Sequence, residues 1–275
     1  MDFHSLIDQL NEFFERERDL KKPPLLLRQG KIEGRFGHLR LATIFHSIRR
    51  VDLPERIIGQ QAYLRIFADG EYPLPVLDAF SSEHDTFSVI NLDRLCRTLH
   101  VLNFLLYPQT GTDLFLHVNP RHVTGLKVNH GAYFEEILGY CGLTTQQLVI
   151  TLALGFHSGS AYPSFIKGLD NYRKRGFRVA IKFNQRISLE KNVVRFLQEL
   201  HPDFLHLHGS LIQSSHCTDQ EIDSSQLCFN HLIEAGREVG AQIVAECLET
   251  EQQMALAVAA GADLVQGYLF DGASV

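Results

Sequence analysis

Near the end of the chain, the stretch AECLETEQQMALAVAAGADLVQGYLF from Ala245 to Phe270 carries Glu246 and Gln266 in two polar clusters joined by one helical segment. Each cluster follows a short apolar run, so each reads as a strand end. Two parallel strands joined by one helix would bring Glu246 and Gln266 out side by side. A carboxylate and a carboxamide there can hold a cation or a hydrogen-bonding ligand. Upstream, His117 shares strand parity with Asn119, and His206 shares it with His208, so these histidines would point into one interior. Such histidines suit zinc or another transition metal. Packed, hydrogen-bonded imidazoles are the plainer reading in a chain with 14 histidines. The run Gly155-Phe156-His157-Ser158-Gly159 is like a nucleophile elbow with its serine one place off, and without triad partners it reads as core or loop.

The elements that must position these residues follow from periodicity. Eight short apolar runs predict strands: Leu41 to Ile48, Ile57 to Phe67, Leu114 to Asn119, Leu148 to Leu152, Phe177 to Phe183, Phe204 to His208, Gln242 to Glu246 and Leu264 to Leu269. Between them, amphipathic patterns predict helices over Phe87 to Tyr107, Gly131 to Cys141, Ala161 to Arg175, Leu189 to Leu200, Ser225 to Val239 and Thr250 to Ala260. Glycines at 176, 240 and 261 stand where helices should stop. Only Arg49 to Pro54 separates the first two runs, too short for a parallel crossover, so the first strand must run antiparallel to the rest. The expected architecture is an α/β barrel of the (β/α)8 type. Ahead of it, Leu6, Ile7, Leu10, Phe13 and Phe14 recur at helical spacing. Residues 1–35 therefore read as an N-terminal amphipathic helix and linker, and 36–275 as the barrel domain. The helix caps the barrel in one reading and binds a partner in the other.

Composition excludes several classes. The chain has 275 residues, 45% of them hydrophobic, enough for one barrel, a fold that commonly runs to about 250 residues. Net charge is −6, so tracking along nucleic acid is not expected. No apolar run reaches the length of a membrane span and no signal peptide is seen, so the expectation is a soluble, cytoplasmic protein. The five cysteines lack CxxC pairing, which suits a reducing compartment.

Ala245–Thr250 followed by Leu264–Tyr268 resembles the C-terminal signature of EAL domains, AEGVET followed by LVQGY. The resemblance extends over about Arg40 to Ala273. It implies a TIM-like barrel of the EAL type and hydrolysis of cyclic di-GMP by two magnesium or manganese ions held among converging carboxylates. Several positions depart from that pattern. The Glu-Ala-Leu motif falls on Gln61-Ala62-Tyr63. The glutamates of the LEITE strand fall on Val149 and Leu152. The Asp-Asp-Phe-Gly run becomes Ile181-Lys182-Phe183-Asn184, one residue short, and Lys-Ile-Asp becomes His206-Leu207-His208. Asn119, Glu246 and Gln266 keep useful chemistry, along with Glu249.

Two divalent ions need several anionic ligands, and Lys182 adds a positive charge where an aspartate is expected. The resemblance, so altered, implies no metal cofactor and no catalytic residue, with Gln61, Val149, Lys182, His206 and His208 as the degenerate positions. The ligand-binding set is Arg65, Asn119, Lys182, Glu246, Gln266 and Phe270. Arg65 follows the altered motif and can fork a phosphate or make a structural salt bridge. The implied function is a signalling protein that binds cyclic di-GMP or a protein partner without hydrolysis. A homodimer is a further expectation, through the polar loop Ser214 to Ser225. An active phosphodiesterase with an unusual metal site and a purely protein-binding module are the alternatives.

Overall fold

The computed structural model describes residues 2–18, 23–68, 73–75, 86–107, 111–125, 131–154, 159–183, 191–211 and 219–271. Its strands are β1 (Leu25–Arg28), β2 (Lys31–Phe36), β3 (Leu39–Arg50), β4 (Ile57–Phe67), β5 (Pro73–Leu74), β6 (Asp113–Val118), β7 (Leu148–Leu154), β8 (Arg178–Phe183), β9 (Phe204–His208), β10 (Gln242–Glu246) and β11 (Leu264–Val265). Its α-helices are α1 (Phe3–Arg18), α2 (Thr86–Leu106), α3 (Pro120–Gly125), α4 (Ala132–Cys141), α5 (Tyr162–Arg173), α6 (Lys191–Leu200), α7 (Asp219–Glu238), α8 (Glu251–Ala260) and α9 (Tyr268–Asp271).

Eight strands close on themselves in the order β3-β11-β10-β9-β8-β7-β6-β4, with β4 returning to β3. Within the closed ring β4 and β6 through β11 run parallel to one another, β3 is antiparallel to both β4 and β11, and β5 adds to β4 as a short antiparallel strand. The short β3–β4 connection forces this inversion, as the spacing predicts.

Alternation along each strand separates two cores. Ile48, Phe115, Val149, Ala180, Phe204, Val244 and Leu264 fill one level of the barrel interior. The rings of Phe115 and Phe204 meet there, centroids 5.0 Å apart. Gly59 faces the same layer, and a Cβ on it would lie 2.5 Å from the Phe115 ring, so only glycine fits. The opposite faces of the strands, with Leu116, Ile150, Ile181 and Leu205 fully buried, pack under the helices. Each such side chain contributes about 1.5–3 kcal/mol.

The N-terminal helix packs against the β1–β2 hairpin and α4. Leu6, Ile7, Leu10, Phe13 and Phe14 are all buried, and Phe13 meets Tyr133 and Tyr140 of α4 with centroids 5.2 and 5.9 Å apart. Asn11 ties α1 to β1 with two bonds: its Nδ2 donates to Leu25 O and its Oδ1 accepts from Leu25 N, both 3.0 Å.

Three expectations need correction. The segment read as linker holds the β1–β2 hairpin, which pairs through Gly34↔Leu41 with β3 and so extends the barrel sheet. Its turn, Gln29-Gly30, has φ of 48° and 75°, the left-handed pair that a two-residue hairpin needs. The run Leu264 to Leu269 is a strand only at Leu264–Val265, because Gly267 folds the chain onto Leu248, whose carbonyl accepts from Leu269 N at 3.1 Å. The polar segment Ser214 to Ser225 is already helical from Asp219; its part at 214–218 lies outside the described residues, as do Asn184, Cys217 and the 155–158 part of the elbow-like run.

Candidate functional site

Parallel barrels gather ligand groups where their strands end at the carboxyl side. Here β4, β8, β9 and β10, with the turn after β11, open into a cleft of about 900 Å³. Its wall includes His46, Tyr63, Arg65, Lys182, His208, Gln266 and Tyr268, with Ser210, Cys247, Glu249 and Gln253 at the β9 and β10 ends. That volume is in the range of small-ligand sites. Glu246 and Gln266 do lie side by side, since β10 pairs in register with β11 and Gln266 N donates to Ala245 O at 2.9 Å.

One ion pair dominates the electrostatics. Lys182 Nζ lies 2.7 Å from Glu246 Oε1; the lysine side chain is 11% exposed and the glutamate fully buried. The contact is a close ion pair between an ammonium and a carboxylate. His206, also fully buried, places Nδ1 3.5 Å from Glu246 Oε2. Burial pushes the Glu246 carboxyl up, but His206 and Lys182 outweigh it and hold the group down to about 2. The carboxylate is therefore ionised, with its charge compensated inside the protein.

Aromatic and imidazole rings surround the pair. Tyr63 meets His46 and His117, with centroids 5.1 and 5.6 Å apart, and His46 meets Tyr268 at 5.6 Å. Lys182 Nζ stands 5.7 Å from the Tyr63 ring centre. Burial first, and the Glu246 charge second, keep the Tyr63 phenol well above its ordinary pKa, so it stays a neutral hydroxyl. Burial also lowers His117 to about 3, with Lys182 adding to the effect. His46 and His208 are lowered by burial as well. These imidazoles are neutral near pH 7.

Among the predicted ligand residues, Arg65, Lys182 and Gln266 line the cleft, and Glu246 sits directly beneath Lys182. Asn119 is elsewhere employed. Its Oδ1 accepts from Arg121 N at 2.9 Å, capping α3, and its own N–H donates to Asp93 Oδ1 at 2.8 Å. Phe270 packs against the outer core with the Arg49 guanidinium 5.9 Å from its ring centre. Among the degenerate positions, His208 lines the cleft and bonds Ser210, Gln61 is buried with its Nε2 on Phe115 O, and Val149 belongs to the apolar interior layer. His46, Tyr63 and Tyr268 were not singled out from sequence as ligand groups. The inward parity of His46 with Ile48, and of Tyr63 with Gln61, was the available signal.

The donor set bears on which ions could sit here. No group of three His, Cys, Asp or Glu side chains that could hold a metal ion occurs among the described residues, His117, His206 and His208 included. Gln61 Oε1, Gln266 Oε1 and both Glu246 oxygens are buried without a hydrogen-bond partner among the described residues. Hard divalent ions favour such oxygens. The nearest cation to Glu246, however, is the protein's own ammonium.

Behind the cleft lies a second buried charge cluster that sequence reading missed. Asp93 Oδ2 is 2.9 Å from Arg97 and 2.7 Å from His122, and Arg97 donates to Tyr172 Oη at 3.1 Å. Burial raises the Asp93 carboxyl, and Arg97 and His122 more than reverse this. The cluster joins α2, α3 and α5 and anchors the start of α3 just past β6.

The EAL domain family model matches residues 32–273. A structure of Klebsiella pneumoniae BlrP1, a calcium and cyclic di-GMP complex, superposes with a TM-score of 0.66 at 18% identity, covering 83% of this chain and 54% of that one. The chain thus spans just over half the length of that protein. The FimX EAL domain from Pseudomonas aeruginosa, bound to c-di-GMP, gives 0.67 at 15% identity, covering 99% and 96%. BlrP1 with FMN and cyclic diGMP and no metal ions gives 0.60 at 17%, covering 83% and 52%. At these identities the likeness establishes the fold. No curated protein matches in sequence.

Proposed function

The chain belongs to the EAL domain family, and from that premise we propose that it is a catalytically inactive signalling barrel, a receptor for cyclic di-GMP or an adaptor that acts through a protein partner. The observation that carries this reading is the Lys182–Glu246 ion pair in the mouth of the barrel.

Two dications about 4 Å apart repel by about 17 kcal/mol at an effective dielectric of about 20. Several carboxylates must offset that. In this cleft Glu246 is already neutralised by Lys182, and Glu249 stands exposed at the rim. Attack on phosphorus by a metal-bound water therefore lacks its support, and no step is assigned to a metal here.

The same residues favour an anionic ligand. Lys182 and Arg65 present two cations to the cleft, Gln266 supplies a carboxamide, and the Tyr63, His46 and Tyr268 rings supply flat surfaces for a purine. The BlrP1 structure with cyclic diGMP and no metal ions is a precedent within the fold. A reducing, cytoplasmic setting suits the free thiols of Cys96, Cys141, Cys228 and Cys247. Among the described residues no helix is long and apolar enough to cross a membrane. A homodimer belongs to the same proposal, and light scattering tests it.

Isothermal titration with cyclic di-GMP, followed by chromatography of the mixture after incubation with magnesium or manganese, tests the reading. Heat with intact dinucleotide supports a receptor, no heat and no product leaves the adaptor role, and a linear dinucleotide product refutes inactivity.

A further inference from the structure

We propose that Lys182 is a tethered counter-cation: its ammonium takes the place that a hard divalent ion would need beside Glu246, closing this part of the mouth to metal while one side of the ammonium faces an anionic ligand. The inference deepens the reading of the barrel as a metal-free binder and rests on it.

The support is the balance of donors and acceptors. Four buried acceptor oxygens, Gln61 Oε1, Gln266 Oε1 and the two of Glu246, are without hydrogen-bond partners among the described residues. They come from the inward positions of β4 and β10 and from the turn after β11. His46 on β3 lies between Gln61 and Gln266: it pairs in register with Gln61, and its carbonyl accepts from Gln266 Nε2 at 3.2 Å. Carboxylate and carboxamide oxygens in a half-closed mouth are the donor chemistry of magnesium, manganese and calcium sites. The charge that meets this oxygen set is Lys182 Nζ, 2.7 Å from the carboxylate. An ammonium is a compact cation with three donors and no acceptor, so it satisfies an anion and repels a second cation. Lys182 also lines the cleft, so a phosphate oxygen can reach it without displacing Glu246.

This arrangement makes the exclusion of metal depend on one side chain. Replacing Lys182 with aspartate removes the tethered charge and sets a second carboxylate beside Glu246. The experiment titrates manganese into the nucleotide-free full chain, read by electron paramagnetic resonance and calorimetry. It compares the wild type, Lys182→Asp, Lys182→Asn and Lys182→Asp/Glu246→Gln. The wild type takes up no stoichiometric ion. Lys182→Asp binds manganese at least tenfold more tightly than wild type, Lys182→Asn moves in the same direction by less, and the double variant loses the gain.

Stoichiometric manganese in the wild type with the affinity of Lys182→Asp overturns the proposal. So does a folded Lys182→Asp or Lys182→Asn, judged by an unchanged circular dichroism spectrum, that gains no ion. Because no nucleotide is present, failure here is distinct from failure of cyclic di-GMP to bind.

Discussion

Removing the lysine while leaving its partner buried should destabilise the barrel in a pH-dependent way. Lys182→Met keeps an apolar stem of similar length and strands Glu246, which is fully buried. In the intact protein the carboxyl is held at about 2 against an ordinary 4.5. That difference of roughly 2.5 pKa units corresponds to about 3 kcal/mol of stability at neutral pH. The sign follows from the depressed pKa: this stability is fully present above about pH 4.5 and is lost as pH falls toward about 2. In Lys182→Met, burial is opposed by His206 alone, and the carboxyl rises from about 2. The variant should therefore lose up to about 3 kcal/mol near pH 7, and the deficit should shrink between about pH 7 and about pH 4 as Glu246 takes up a proton. Lys182→Met/Glu246→Gln should recover to within about 1 kcal/mol of the wild type, about 2 kcal/mol better than Lys182→Met alone, and Glu246→Gln alone completes the double-mutant cycle that gives the coupling. Urea unfolding followed by circular dichroism is the assay, because the chain has no tryptophan. A loss under about 1 kcal/mol that is the same at both pH values, with no coupling, would refute the reasoning.

Three other outcomes are expected. His100 is buried, accepts or donates at Thr43 Oγ1 at 2.8 Å, and is lowered from 6.5 to about 3 by burial, with Asp93 opposing. Its neutral form is worth full stability above about pH 6.5, and about 2 kcal/mol of that should vanish by roughly pH 5, a slope that His100→Asn flattens in urea titrations. Gly267→Ala should destabilise the turn by about 1–3 kcal/mol in thermal melts and weaken any cleft ligand, because a Cβ there collides with the backbone of Leu248. Asn11→Ala removes both bonds to Leu25 and should cost about 1–3 kcal/mol, with hydrogen exchange rising first in α1 while the barrel strands stay protected.

The barrel was legible because its strands and helices have strong, different periods. Ile57–Phe67, Phe204–His208 and Gln242–Glu246 appear with the bounds their apolar runs suggest, and the six residues from Arg49 to Pro54 fix the direction of β3. The β1–β2 hairpin escaped because Gln29-Gly30 is a weaker turn signal than Asn-Gly and the strands are short. The end of β11 escaped because Gly267 bends the chain where apolar residues continue.

At the site, strand ends put Glu246 and Gln266 at one mouth, and the family resemblance added Lys182. Parity alone could not tell that Lys182 would bond Glu246 rather than stand free, since that depends on packing between β8 and β10 across β9. Nor could it show that Asn119 would be used as a helix cap, a matter of Pro120 starting α3 immediately after it. Asp93 and Arg97 stand one turn apart on α2, but their meeting with His122 was hidden because it forms only when α2 packs on α3.

The most direct test incubates the purified chain with cyclic di-GMP in excess magnesium or manganese and separates the nucleotides by chromatography. With Glu246, the buried carboxylate of the mouth among the described residues, already paired to Lys182, the dinucleotide should be recovered intact. Its steady conversion to the linear form by the wild-type chain would contradict the assignment.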